Sequence, residues 1–113
     1  MPVPLYQAKA EFFRTLGHPA RIRILELLSD RDHAVHELLD AIDIEASNLS
    51  QQLAILRRAG LVTQYREAGE VRYAVSVADV RDLLLTARKI LGLLADDQLA
   101  LKRQLRSSSR ANR

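Results

Sequence analysis

The chain has 113 residues, 48% hydrophobic and 27% charged, with a formal net charge of +3. That length suits a single domain able to bury roughly two-thirds of its unfolded surface without a metal or disulfide to hold it. Cysteine is absent, which excludes disulfides, thiolate metal sites, iron–sulfur clusters and cysteine nucleophiles.

The chain opens on MPVPLYQAKAEFF, which lacks the basic-then-apolar pattern of a secretory signal. Leu5, Ala8, Phe12 and Leu16 recur at helical spacing, so 5–16 is predicted to be a helix, ended by Gly17. His18 suits a cap and Pro19 a first helical turn. Residues 19–29 follow as a second helix, with Ile22, Leu25 and Leu28 inward and Arg21 and Arg23 outward. DRDH breaks the pattern, and a short third helix is expected over 34–42. A fourth, over 46–59, is capped by Ser47 or a neighbour and terminated by Gly60. The period then changes to two. LVTQYR and VRYAVS read as strands, with EAGE as the hairpin tip and Gly69 supplying a positive φ. Residues 77–105 form a last, leucine-rich helix. The expected architecture is mostly α with a small β-hairpin wing, in the order α-α-α-α-β-β-α, a winged helix-turn-helix. It spans residues 1–106, with a disordered basic tail over 107–113. No apolar run reaches the roughly 18 residues of a membrane span, so a cytoplasmic protein is expected.

The fourth helix carries the functional signal. At 100° per residue, Leu49, Leu53 and Leu56 fall within about 60° of one another and face the core. Opposite lie Ser47, Gln51, Ala54 and Arg58, flanked by Asn48, Ser50 and Ile55. No carboxylate occurs between Glu45 and Glu67. Amides and hydroxyls near the start of such a helix suit base edges, Asn and Gln pairing bidentately with adenine, while Arg57 and Arg58 suit phosphates. On the wing, Arg66 and Arg72 are the candidate minor-groove cations. Glu67 and Glu70 share the tip and repel phosphate; pairing of Arg66 with Glu70 across the hairpin is the plain structural alternative.

The charge is unevenly placed. Beyond Asp97 come Lys102, Arg103, Arg106, Arg110 and Arg113 and no acid, leaving twelve basic against fourteen acidic residues over 1–97. The basic isoelectric point therefore reflects the tail, read either as a solvated end or as an auxiliary phosphate contact. His33 and His36 are the one imidazole cluster and the weak candidates for a metal. An exposed pair at a helix start is the plainer reading. No serine or cysteine nucleophile is arranged with them, so an enzyme is not expected.

FRTLGHPARIRILELL, HELLDAIDIEASNLSQQLAILRRAGLV and YREAGEVRYAVS resemble the helix pair, the recognition segment and the wing of the ArsR/SmtB family of bacterial winged-helix repressors. The likeness runs over about residues 8–76. It implies a homodimer joined by the first and last helices, repressing transcription from a palindromic double-stranded DNA operator in the bacterial nucleoid. Ser47, Asn48, Ser50, Gln51 and Gln52 fall on the family's DNA-reading segment, Gln52 where members often carry histidine. Val80, Leu83, Leu84, Ala87, Ile90, Leu91 and Leu94 make a stripe too long for one small core. With Leu5 and Phe12, the residues from Leu83 onward are the expected dimer interface. The family's metal sites are not matched: Ala34-Val35-His36 stands where members carry Cys-Val-Cys, and the last helix has no histidine. No cofactor is expected, and a small-molecule inducer is left unnamed. The competing reading is a winged-helix dimerisation and protein-interaction module with weak or no specific DNA readout.

Overall fold

The computed structural model describes residues 2–111, with side chains to 107. It divides into a unit ending at Arg81 and a second that begins at Asp82.

In the first unit, α1 (Leu5–Leu16) stops at Gly17, and α2 (Pro19–Asp30) starts behind a His18 cap whose Nδ1 accepts from the Ala20 N–H at 3.2 Å. Proline at the first helical position loses no hydrogen bond there. The buried residues of α2 are Ile24 with the expected Leu25 and Leu28, while Ile22 is half-buried. Arg21, expected outward, is half-buried.

The DRDH stretch holds an element that hydropathy did not reveal. His33–Ala34 form a two-residue strand, β1, immediately before α3 (Val35–Ala41). α4 (Ala46–Arg58) begins at Glu45 without a side-chain cap, so Ser47 lies inside the helix rather than capping it. Gly60 follows with φ +78°, the left-handed turn that a glycine adopts at no steric cost.

β2 (Val62–Glu67) and β3 (Glu70–Val75) pair antiparallel from Val62↔Val75 to Glu67↔Glu70. The two-residue turn, Ala68 (φ 53°) and Gly69 (φ 78°), has the pair of positive φ values that match a hairpin's twist. β1 joins the other edge of β3, with His33↔Tyr73 and Ala34↔Arg72, giving the sheet order β1-β3-β2. The fold is therefore the expected winged helix-turn-helix with a third, short strand at the wing's base.

Ile24, Leu25, Leu38, Leu49, Leu53 and Leu56 are the largest fully buried side chains, each contributing about 1.5–3 kcal/mol by burial. They fasten α4 onto α2 and β2 and leave its other face outward.

α5 (Asp79–Ala111) is one 33-residue helix. The stretch expected as a tail continues helically to Ala111, since Ser, Arg and Ala all tolerate a helix and no Gly or Pro interrupts it. Residues 112–113 lie outside the described residues. Of its apolar stripe, Leu83 and Leu84 are half-buried, while Ala87, Ile90, Leu91 and Leu94 are exposed. Among the described residues no helix is long and apolar enough to cross a membrane.

Candidate nucleic-acid interface

The outward face of α4 carries Ser47, Asn48, Ser50 and Gln51, all exposed, and ends in exposed Arg57 and Arg58. There is no acid in its first turn. Ala54, Arg57, Arg58, Val62, Thr63 and Gln64 line an open groove of about 450 Å³ between the end of α4 and β2. Thr63 and Gln64 were not singled out from the sequence; only their polarity just after Gly60 pointed to them.

Gln52 departs from its expected place. It is buried, at 6% exposure. Its Oε1 accepts from Arg21 Nη1 at 2.8 Å, and its Nε2 donates to Asn48 Oδ1 at 3.0 Å. Buried amides require such partners, and with both ends engaged Gln52 is not presented to a base.

The two wing arginines separate. Arg66 is exposed and, among the described residues, in no ion pair. Arg72 is turned inward. Its guanidinium lies 3.5 Å from Glu37, 3.7 Å from Glu70 and 3.8 Å from Glu67, and donates to the Asp32 carbonyl at 3.2 Å. The physical reason is the hairpin register. Glu67 and Glu70 face each other across the strands, a like-charge pair that is unfavourable without a cation. Arg66 is opposite Val71 instead, so the expected Arg66–Glu70 alternative is not the pairing adopted.

β1 explains the rest of this cluster. Glu37 accepts from the Ala34 N–H at 2.9 Å, closing the start of α3, and from Arg31 at 2.9 Å. The Ala34 N–H, with Arg31 beside it, holds the Glu37 carboxyl down at about 2. Tyr65 donates its hydroxyl to Asp32 at 2.5 Å, which raises the phenol's pKa. Since the Glu37 pKa is depressed, its stabilising effect is present above the ordinary value of 4.5 and is lost as pH falls through about 2. Urea unfolding at pH 7 and pH 3 is expected to show a smaller acid-induced loss for Glu37→Gln than for the wild type. Equal losses would contradict the assignment.

The two histidines are not an exposed pair. His33 is buried in β1, its Nδ1 donating to the Arg31 carbonyl at 2.7 Å. His36 is exposed, with Nδ1 3.0 Å from Glu70. Among the described residues, no three His, Asp or Glu side chains group as a metal site.

A polar helix displayed beside a hairpin wing has counterparts among known proteins. The model of the bacterial regulatory protein arsR family matches residues 18–64, which run from the cap of α2 through α4 into β2. The HTH-type transcriptional regulator Rv0081 of Mycobacterium tuberculosis is 50% identical over 109 residues, 96% of each chain. The chain belongs to the arsR family. As a member it is a DNA-binding transcriptional regulator of the winged helix-turn-helix class, not an enzyme. The crystal structure of M. tuberculosis Rv0081 superposes with a TM-score of 0.77 at 52% identity, over 87% of this chain and 99% of that one. The HTH-type transcriptional repressor SmtB of M. tuberculosis is 36% identical over 86 residues, 76% of this chain and 64% of that protein. The homodimeric winged helix-turn-helix DNA-binding domain of Mb0332 from Mycobacterium bovis, solved by NMR, has a TM-score of 0.65 at 27% identity, each chain covered to 84%.

Proposed function

We propose that this arsR-family chain is a repressor acting as a homodimer on a palindromic operator, each protomer laying the outward face of α4 in a major groove. The observation that carries the reading is that face itself: Ser47, Asn48, Ser50 and Gln51 exposed, with no acid from Ala46 to Arg58 and Arg57 and Arg58 at its end. Base edges are read by short polar side chains, and arginines at the helix end hold phosphates. Arg66 is the wing cation of this reading, and Arg72 a brace for the wing.

Dimerisation is supported by the large side chains that one chain leaves uncovered. On α1, Leu5 is 70% exposed and Phe12 is half-buried; on α5, Ile90, Leu91 and Leu94 are at least half exposed. A second copy would cover such faces; the M. bovis domain is itself homodimeric. The repressor assignment follows the named activity of SmtB. With no cysteine in the chain, its inducer is not a thiolate-bound metal. The interaction-module alternative loses its support at the wing tip, where Arg72 and His36 engage the glutamates.

The test is a pair of variants titrated against the chain's own promoter at two salt concentrations. Gln51→Ala should cost about 1–3 kcal/mol and relax selectivity at one base pair. Arg58→Ala should weaken all duplexes alike and flatten the salt dependence. Unchanged affinity in both variants would overturn the docking of α4.

A further inference from the structure

The buried side of α4 carries a hydrogen-bond chain whose direction is fixed at one end. Arg21 Nε donates to the Thr15 carbonyl at 2.6 Å, and its Nη1 donates to Gln52 Oε1 at 2.8 Å. A guanidinium has donors only. The Gln52 amide is therefore held with its oxygen toward Arg21, and its NH₂ must point the other way. That NH₂ donates to Asn48 Oδ1 at 3.0 Å. Asn48 lies one helical turn earlier and is exposed, on the face proposed to read DNA. Its oxygen is drawn toward the buried Gln52, and the group left for an outside partner is its Nδ2, with two hydrogens. The amide orientations are usually ambiguous; here the donor-only arginine decides both.

Resting on the DNA-reading assignment of α4, we infer that Arg21 and Gln52 set the base specificity of Asn48 by presenting it to the major groove as a hydrogen-bond donor, so that it selects guanine. The bidentate adenine contact expected of an asparagine needs its oxygen to accept from N6 while its nitrogen donates to N7. With the oxygen held by Gln52, adenine offers one usable acceptor, whereas guanine offers two, O6 and N7, and cytosine presents an opposing donor at N4. Gln52 is thus a positioning residue that touches no base.

The experiment selects bound sequences from a pool of random duplexes with the full chain. The wild type should enrich a consensus with a guanine position that Asn48→Ala abolishes while the other positions persist. In Gln52→Glu both carboxylate oxygens are acceptors. One takes Arg21, the other takes Asn48 Nδ2, and the Asn48 oxygen turns outward. The preference at that position should then invert, by about tenfold, to a base with a donor, cytosine N4 or adenine N6. The added charge weakens binding to every duplex, but it does not by itself invert a ratio between bases. Gln52→Met, which leaves Asn48 free to turn either way, is the second variant. It should relax the guanine preference at that position to about twofold or less and keep the rest of the consensus. A guanine preference that survives Asn48→Ala, or that both Gln52 variants leave intact, overturns the relay. Failure of the wild type to enrich any consensus contradicts the DNA-reading assignment itself.

Discussion

Leu91→Asp is expected to give a folded monomer that binds its operator at least tenfold more weakly. Leu91 is 67% exposed in the single chain, so its replacement removes little from the protomer's own core. In the proposed homodimer the same side chain is covered, and two-fold symmetry makes the substitution count twice. Each copy loses about 1.5–3 kcal/mol of apolar burial. An aspartate buried there adds a cost of several kcal/mol, because the carboxylate would lose its water or be forced to protonate. The monomer then engages one half-site, forfeiting the factor of about 10²–10⁴ that linked recognition supplies. Light scattering at micromolar concentration should show one protomer's mass, with unchanged helical circular dichroism. A retained dimer would remove α5 from the interface.

Leu53→Ala acts on the anchoring of α4. Leu53 is 1% exposed, and its neighbours Leu49 and Leu56 on the same face are fully buried. Truncating such a leucine costs about 2–5 kcal/mol, through lost burial and the cavity left behind. For a domain whose total stability is about 5–15 kcal/mol, that is a large share. Operator affinity should fall as well, because the helix that carries Asn48 and Gln51 is seated by this face. Urea unfolding gives the cost directly. A loss below about 1 kcal/mol would mean that α4 is not held as described.

The helices and the wing were legible because local signals agree with the tertiary outcome. Leucines at helical spacing place α4, Gly60 ends it, and alternating Val and Tyr with Gly69 between them mark the hairpin. β1 was not legible. Two residues are too short for any periodicity, and His33–Ala34 are a strand only because β3 offers an edge. That pairing also buries His33 and dissolves the apparent His33–His36 cluster. Charge alone makes Arg72 a groove candidate; it does not reveal the facing of Glu67 and Glu70, which draws the guanidinium toward both. Gln52 is the instructive case: a helical wheel already sets it about 40° from Leu56, on the edge of the core. What the wheel lacks is Arg21, whose half-buried guanidinium gives that glutamine a reason to be inside.

The most direct test of the central claim is a fluorescence-anisotropy titration of the purified wild-type chain against its own promoter and a scrambled duplex of equal length, with stoichiometry measured at saturation. Two protomers bound per site, with at least a hundredfold preference over the scrambled duplex, is the predicted result. Equal binding to both duplexes would contradict sequence reading by α4, and one protomer per site would contradict the dimer.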